Sequence, residues 1–299
     1  MYDVIVIGGG SAGLAAALTL GRALKKTLVL DNETNRNRVT QHSHGFLTQD
    51  GVTPANLRQK ARADVAKYDH VSFATETVTC LEKVDNCFVV TTDSATYQAR
   101  KVLLTMGFQE KLPDIKGIED VYGKSIFYCP WCDGYELRDR QLVVAVPSVV
   151  MGHMSKLILN WSKDIVFCAL DGQEPASDVL DYFRTKNIGL ETKAISEFIH
   201  QDGNLLAVRF EDGTELVRNG GFIGISVDTH FDFLTPLALE REDSGKIICN
   251  DFGETSVSGL FVAGEAKGVM PTQLIDAASD GNTIAKFAAA QIIEEDDNQ

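Results

Sequence analysis

The chain opens with a glycine-rich turn between an apolar strand and a helix, and no other feature limits its possible folds so strongly. Residues 3–7 are apolar almost throughout, which suits a strand buried on both faces. Residues 8–13 read G-x-G-x-x-G, a helical stretch follows over 14–24, and a second apolar strand over 27–30 ends at Asp31. This order predicts a βαβ unit that binds a dinucleotide.

Each glycine of the turn has a separate task in such a unit. Gly8 permits the tight turn, Gly10 lets the backbone approach a pyrophosphate, and Gly13 lets the helix pack closely on the strand. Asp31 lies at about the distance along the chain where an acid accepts the ribose hydroxyls. The opening therefore predicts a nucleotide site with named residues.

A second informative segment is Cys129-Pro130-Trp131-Cys132, followed at once by Asp133. Two thiols separated by two residues can close and reopen a small disulfide ring. The same spacing is half of a four-thiolate zinc site, and a pair of unrelated core cysteines is the plainest alternative. No nearby histidine completes a zinc site, and no second C-x-x-C occurs among the remaining cysteines, Cys80, Cys87, Cys168 and Cys249. We predict a redox pair and no metal.

Composition excludes several classes of function. The 299 residues, 44% of them hydrophobic, are enough for two domains, and six cysteines are too sparse for a disulfide scaffold. We find no apolar run near the ~20 residues that span a bilayer and no basic segment at the start, so we expect a cytoplasmic protein that is not in a membrane. The net charge of −14 disfavours nucleic acid as a partner. We expect the acidic residues 294–297 to form a solvated end.

Three later segments complete a resemblance. Thr105-Met106-Gly107 resembles an A-T-G hinge, and residues 255–266 resemble a late flavin motif in which Glu265 replaces the usual Asp. Gln273 resembles a glutamine that meets the flavin. Together with the opening turn and the C-x-x-C-D-G segment, they resemble the low-molecular-weight thioredoxin reductase family, FAD-dependent pyridine nucleotide-disulfide oxidoreductases, over nearly the whole chain.

The resemblance implies an α/β fold with two Rossmann-like, three-layer ββα domains in a homodimer. The FAD domain would be discontinuous, residues 1–112 and 245–299, around an inserted NADPH-type domain, residues 113–244, that carries the C-x-x-C. The first site would bind FAD rather than NAD. Its implied cofactor-binding residues are Gly8, Gly10, Ser11, Ala12, Gly13, Asp31, Asn32, Thr105, Gly107, Gly264, Glu265, Gln273 and Leu274.

The resemblance also implies roles near the thiols. Cys132 would lie against the flavin, Cys129 would attack an incoming disulfide, and Asp133 would deliver a proton, cap a helix, or do both. The segment containing His42 and His44 resembles that of the gliotoxin- and holomycin-type dithiol oxidases, in which a histidine could act as base for substrate thiols. An ordinary hydrogen-bonding role for His44 is the alternative, and the H-x-H spacing has no evident third metal ligand.

The inserted domain departs from the family at its own nucleotide turn, residues 147–152. Pro147 stands at the first glycine position, where it removes an N–H, and Val149 stands at the second, where it adds a branched side chain. Asp171 and Glu174 follow the next strand where the family has basic residues. Steric exclusion and like charge both predict that NADPH is not the electron donor.

Three functions follow from these observations. The first is a reductase that receives electrons from a donor other than NADPH and passes them to a protein disulfide such as thioredoxin. It resembles the ferredoxin-dependent flavin thioredoxin reductases, but an acidic ferredoxin would need a local basic patch. The second is a dithiol oxidase with dioxygen as acceptor, and the third is a flavin-binding redox sensor. Candidate cations for the patch are Arg36, Arg38, Lys60, Arg62 and Lys67.

Overall fold

The computed structural model describes residues 1–268 and 272–298, and the chain divides into two compact units. Unit 1 comprises Met1–Arg38, Gly45–Gln109 and Val227–Gln299, and unit 2 comprises Val39–His44 and Glu110–Ser226. Each unit is therefore built from separate stretches of the chain.

The elements of the described residues follow one another in this order. The strands are β1 (Tyr2–Ile7), β2 (Thr27–Leu30), β3 (Val71–Ala74), β4 (Val78–Val84), β5 (Cys87–Thr92), β6 (Thr96–Leu104), β7 (Gln109–Lys111), β8 (Ile126–Phe127), β9 (Leu142–Val146), β10 (Ile165–Ala169), β11 (Gly189–Glu191), β12 (Ile195–Gln201), β13 (Asn204–Phe210), β14 (Glu215–Val217), β15 (Gly220–Ile223), β16 (Ser226–Asp228) and β17 (Leu260–Val262). The α-helices are α1 (Ser11–Arg22), α2 (Pro54–Val65), α3 (Ile118–Val121), α4 (Pro130–Asp133), α5 (Met151–Ile158), α6 (Ser177–Lys186) and α7 (Leu274–Asp297).

Unit 1 is built on a seven-stranded sheet with the order β3-β2-β1-β6-β5-β4 and with β17 beside β6. Strands β1, β2, β3, β6 and β17 pair in parallel, whereas β4, β5 and β6 pair antiparallel. The apolar run of β1 is buried at its last four residues, as a central strand requires. Helices α1 and α7 contact each other, and one apolar cluster joins them to the sheet.

Unit 2 contains a second parallel sheet with the order β11-β10-β9-β15-β8. All five residues of β9 are buried, and an antiparallel three-stranded sheet, β12-β13-β14, lies in the same unit. The predicted α/β class with two Rossmann-like domains is confirmed. The predicted domain boundaries at residues 112 and 244 stay a prediction, which limited proteolysis can check.

The acidic C-terminal segment differs from our expectation. Helix α7 continues to Asp297, and Glu295 accepts hydrogen bonds from Lys101 and from Arg100, the latter at 2.8 Å. Asp296 accepts another from Arg100 at 2.6 Å. Glu294, Asp296 and Asp297 are exposed as expected, but the segment is more than a solvated end, because basic residues of β6 lie beside it and pair with Glu295 and Asp296.

Within the described ranges, we find no helix that combines the length and the apolar character needed to cross a membrane.

Candidate cofactor and disulfide sites

The glycine-rich turn of unit 1 leaves bare backbone at the start of α1. Gly8 has a φ of +103°, and a Cβ there would lie 2.7 Å from the backbone of Met106. A Cβ on Gly13 would run into the carbonyl oxygen of Gly8. At Gly10, the N-cap that precedes Ser11, a Cβ would meet no atom of the described residues within 4 Å. The backbone at Gly10 therefore faces open space at the start of α1, which fits the approach of a pyrophosphate to the first N–H groups of the helix.

Asp31 closes the adjacent end of β2 and is only 8% exposed. Its carboxylate accepts hydrogen bonds from the guanidinium of Arg58 and, at 3.3 Å, from the N–H of Glu33. A Cβ on Gly9 would lie 2.6 Å from Asp31 Oδ2, so the middle glycine of the triplet lets the acid reach the turn. The motif assigns no task to Gly9, and the sequence analysis missed both Gly9 and Arg58.

The end of β6 is fastened to the same turn. Thr105 donates its hydroxyl to the carbonyls of Ile7 at 2.9 Å and of Gly8 at 2.8 Å. Gly107 follows with a φ of +74°, a conformation that favours glycine. Asn32, beyond β2, uses its side-chain oxygen to accept hydrogen bonds within its own loop. The predicted hinge therefore lies beside the predicted nucleotide turn.

The late motif of unit 1 lies against α1 and α7. Gly264 has a φ of +65°, and its N–H donates to Asp280 at 2.8 Å. A Cβ on Gly264 would lie 2.9 Å from the Cβ of Ala12 in α1. Gln273 is the N-cap of α7, and Leu274 is the first residue of that helix. The chain thus brings residues from both ends of the sequence to the start of α1.

Glu265 is held by groups that the sequence analysis did not connect. Arg36 donates from Nη2 to Oε1 at 2.7 Å and from Nε to Oε2 at 3.2 Å. The N–H of Thr272 donates to Oε1 at 2.9 Å. Arg36 and Glu265 are 229 residues apart, so no local pattern could have indicated this ion pair.

The other candidate cations of the predicted basic patch also have partners within unit 1. Arg38 donates to backbone carbonyls of its own loop, and Arg62 lies over the ring of Phe73 at 4.6 Å. Lys60 donates to Gln49 and Lys67 to Asp64, at 2.8 and 2.6 Å. Acids lie beside Arg36, Arg62 and Lys67, whereas Arg38 and Lys60 donate to neutral oxygens, so carboxylates compensate three of the five candidate cations.

In unit 2, Cys129 and Cys132 form a disulfide with their Cα atoms 5.3 Å apart. Cys129 is the N-cap of α4, and its carbonyl accepts the N–H groups of Cys132 and Asp133. A Cβ on Gly134 would lie 2.7 Å from the indole of Trp161, which explains the glycine that ends C-x-x-C-D-G. The short helix therefore brings the two sulfurs together.

Asp133 is the most perturbed acid of this segment. Burial in the fold and then the negative charge of Glu136 raise the pKa of Asp133 to about 7. An acid with this pKa exchanges between its protonated and ionised forms near neutral pH, so it can both give and accept a proton beside the thiols. By contrast, burial raises the pKa of Cys168 to about 12, so that thiol stays protonated and unreactive.

His44 belongs to the same unit as the disulfide. Its Nε2 lies 3.7 Å from Oε1 of Glu136, and its ring lies 6.2 Å from that of His42. The second oxygen of Glu136 is buried without a hydrogen-bond partner among the described residues. Glu136 therefore interacts with two groups, the ring of His44 and the carboxyl of Asp133, whose pKa it raises. Glu136 belongs to no sequence motif, so the sequence did not predict its role.

The second nucleotide turn is occupied by a side chain of the protein itself. Ser148 donates both its N–H, at 3.0 Å, and its hydroxyl, at 2.8 Å, to Oδ2 of Asp171. Pro147 precedes it, and the side chain of Val149 is exposed. Gly152 packs against α6, where a Cβ would lie 2.9 Å from Val179. Gly152 thus lets the start of α5 approach α6 closely, while the carboxylate of Asp171 accepts both the N–H and the hydroxyl of Ser148.

No cluster of three or more His, Cys, Asp or Glu side chains suited to a metal ion occurs in residues 1–268 and 272–298.

Comparison with known proteins gives consistent matches. The family model described as pyridine nucleotide-disulphide oxidoreductase matches residues 2–152. A probable thioredoxin reductase of Arthroderma benhamiae is 32% identical, over 94% of this chain and 76% of that protein. Thioredoxin reductase tcpT of Claviceps purpurea is 29% identical, over 98% and 95% of the two chains. The crystal structure of a putative thioredoxin reductase, TrxB, from Bacillus anthracis has a TM-score of 0.94 and 39% identity over 99% of both chains.

Proposed function

Because this chain belongs to the pyridine nucleotide-disulphide oxidoreductase family, in its low-molecular-weight thioredoxin reductase class, we propose that it is an FAD-dependent disulfide oxidoreductase that does not use NADPH. In this proposal, electrons pass between FAD and the Cys129–Cys132 pair, and a donor other than NADPH supplies them. The observation that carries the exclusion of NADPH is the pair of hydrogen bonds from Ser148 to Asp171.

Unit 1 supports the assignment of FAD to the first site. The bare backbone at Gly10 would hold the pyrophosphate at the start of α1. Asp31 would accept hydrogen bonds from the ribose hydroxyls in addition to the one that Arg58 donates to it. Glu265 and Gln273 would hold the remainder of the cofactor. When bound, FAD supplies a group that accepts and returns two electrons.

Unit 2 supports the exclusion of NADPH from the second turn. A phosphate there would have to displace Asp171 from Ser148 and would meet the carboxylate as a like charge. At an effective dielectric of ~20, two like charges ~6 Å apart cost about 2–3 kcal/mol before screening, which lowers affinity by tens-fold or more. Val149 adds steric exclusion.

The residues around the disulfide can carry out thiol exchange in the reductase direction. The reduced pair would attack a substrate disulfide through the thiolate of Cys129, which forms a mixed disulfide and releases the first substrate sulfur. Cys132 would then attack Cys129, release the second sulfur and close the Cys129–Cys132 bond. Asp133, with its raised pKa, would give a proton to a departing thiolate.

Anaerobic reduction of the purified yellow protein tests the proposal. We expect that micromolar NADPH or NADH leaves the flavin absorbance unchanged, whereas a competent donor or dithiol bleaches it. Cys129→Ser and Cys132→Ser should each abolish turnover of a disulfide or dithiol substrate, and Cys80→Ser, outside unit 2, should not. Rapid bleaching by micromolar NADPH would contradict the proposal and would show that the protein is an ordinary NADPH-dependent reductase.

The second candidate is a dithiol oxidase, and the position of His44 favours it. His44 lies 3.7 Å from Glu136 in the unit that holds the disulfide, and a histidine beside a carboxylate can take the proton of a substrate thiol. Such an enzyme needs neither NADPH nor a ferredoxin, since a substrate dithiol supplies the electrons and dioxygen accepts them. Oxygen uptake with peroxide formation on addition of small dithiols would favour this function over the reductase.

The same proposal includes four further statements. The substrate is thioredoxin or another disulfide compound, the donor is ferredoxin, the protein is a homodimer, and it is located in the cytoplasm. Flavin bleaching by reduced ferredoxin, disulfide turnover with thioredoxin, the mass in solution and cell fractionation test these four statements separately.

A further inference from the structure

The ion pair of Arg36 and Glu265 joins the region that follows β2 to the late flavin motif. It is bidentate, with the two hydrogen bonds of 2.7 and 3.2 Å running in parallel between guanidinium and carboxylate. The side chains are 25% and 13% exposed, so water screens them less than it would screen a surface pair. Such a fork fixes the orientation of both groups.

Two further contacts fix the same carboxylate and guanidinium. The N–H of Thr272, one residue before Gln273, donates to Glu265 Oε1 at 2.9 Å. The ring of Phe108 lies 5.3 Å from the guanidinium carbon of Arg36, close enough for a cation–π contact. Glu265 is thus held by Arg36 and by the segment that leads into α7, while Phe108 contacts Arg36 from the hinge side.

The position of this carboxylate matters because it faces the predicted hinge glycine. A Cβ on Gly107 would lie 3.7 Å from Glu265 Oε2, and no other atom of the described residues beyond its two chain neighbours would lie within 4 Å of it. The carboxylate therefore borders an uncovered stretch of backbone that leads from the turn at the start of α1. In the family that the sequence resembles, a shorter Asp stands at residue 265.

We propose that Arg36 is a positioning residue for FAD, which holds the longer Glu265 in the place that an Asp occupies in relatives. Glu has one more rotatable bond than Asp, so its carboxylate reaches farther and has more orientations to lose on binding a cofactor. The fork from Arg36 removes that freedom before FAD binds and compensates the charge beside the phosphate-bearing cofactor. This inference rests on the proposed binding of FAD.

FAD titration of the apoprotein tests the role of Arg36. We expect that Arg36→Gln raises the FAD dissociation constant about tenfold, and that Arg36→Lys, which keeps the charge without the fork, raises it several-fold. Arg38→Gln is the matched control, because Arg38 lies in the same short helical turn and donates only to local backbone carbonyls. Its dissociation constant should stay at the wild-type value.

The double variant Arg36→Gln/Glu265→Asp provides the decisive comparison. If Arg36 compensates for the longer side chain, the Asp should restore FAD affinity to within about threefold of wild type. Melting temperatures of the apo and FAD-bound forms are measured alongside, since loss of a positioning residue should reduce the stabilisation that FAD brings.

A purely structural ion pair would give different results. It would lower the melting temperatures of apoprotein and FAD-bound protein equally in Arg36→Gln, leave the dissociation constant unchanged and allow no rescue by Asp. Any of these outcomes overturns the inference while the wild type still binds FAD. Failure of the unsubstituted apoprotein to bind FAD would overturn the proposed function as well.

Discussion

Asp133 shows how a single residue next to a disulfide acquires new chemistry from its surroundings. Only 9% of it is exposed, and its environment offers burial and a second carboxylate rather than a cation. These two causes raise its pKa from the ordinary value of 3.8 to about 7. A carboxyl in this state suits proton exchange with thiols, and it also makes the fold sensitive to pH.

The first prediction concerns that sensitivity. A group whose pKa is raised in the folded state stabilises the fold fully below its ordinary pKa and loses this stabilisation as pH rises to its folded pKa, here from about 4 to about 7. Asp133→Asn removes the ionisation, so its free energy of unfolding relative to wild type should increase across this window by on the order of 4 kcal/mol. Urea unfolding at several pH values measures the difference.

Two matched variants give this prediction its controls. Glu136→Gln removes the second cause of the raised pKa and should shrink the dependence on pH, whereas the exposed Asp139→Asn should leave it intact. Parallel pH profiles for wild type and Asp133→Asn would show that Asp133 is ionised in the folded protein and would contradict its role as a proton donor.

Gly10 permits a second prediction at the scale of one residue. Because a Cβ there meets no atom of the described residues within 4 Å, Gly10→Val should leave the apoprotein folded and remove FAD alone. We expect a colourless protein with an FAD dissociation constant raised about a hundredfold or more. Gly13→Ala is the contrasting variant, because its Cβ would meet the carbonyl of Gly8 and destabilise the apoprotein itself. Wild-type FAD content in Gly10→Val would refute the assignment of the turn.

At the scale of elements, the sequence predicts those strands and helices best that a local pattern of apolar residues and glycines defines. The strand predicted over 27–30 is β2, and the strand predicted over 3–7 is β1, which begins one residue earlier at Tyr2. Helix α1 begins at Ser11, three residues before the predicted start, because the glycine-rich turn itself forms the helix N-terminus. Local patterns thus predict the elements but not every boundary.

Contacts between distant elements were beyond the same reasoning. The pairing of His44 with Glu136 and that of Arg36 with Glu265 join segments 92 and 229 residues apart, and neither pair follows a period or a motif. The departure at residues 147–149 was visible in the sequence, whereas the hydrogen bonds that close the turn required the positions of Ser148 and Asp171. The assigned roles of the site residues stay predictions.

The second nucleotide turn yields a prediction about an element. Pro147→Gly/Val149→Gly restores the bare backbone, but Asp171 still accepts both donors of Ser148. We therefore expect no flavin reduction by micromolar NADPH in this double variant. Adding Asp171→Asn removes the negative charge from the turn and should permit weak binding of NADH, detectable by equilibrium dialysis, but no preference for NADPH, since the basic cluster is missing. Rapid reduction of the double variant by NADPH would show that Asp171 does not close the turn.

At the scale of the whole molecule, the discontinuous unit 1 depends on contacts between its first and last segments. Helix α7 packs on α1, and a Cβ on Gly281 of α7 would run into the carbonyl oxygen of Ala12. Ion pairs at the end of α7 continue this contact to β6, where Lys101 is only 7% exposed. The last stretch of the chain therefore helps to hold together the unit that carries the predicted FAD site.

The last prediction tests the contribution of the ion pairs between α7 and β6 by changing the pH. Burial alone would raise the pKa of Glu295, but hydrogen bonds from Lys101 and Arg100 outweigh it and hold the pKa below the ordinary 4.5. A group with a lowered pKa stabilises the fold above its ordinary pKa, and this contribution is lost as pH falls below about 4.5. Glu295→Gln should lower the free energy of unfolding by about 1 kcal/mol at pH 7, because it leaves the ammonium of Lys101 without its carboxylate, and should cost less at pH 3, where part of the wild-type carboxylate is protonated. Glu294→Gln, whose carboxylate lies on the neighbouring position of the same helix, is the control and should have a small effect at both pH values. An equal loss at pH 7 and pH 3 would mean that Glu295 contributes through packing rather than charge, and the carboxylate would then have no part in closing unit 1.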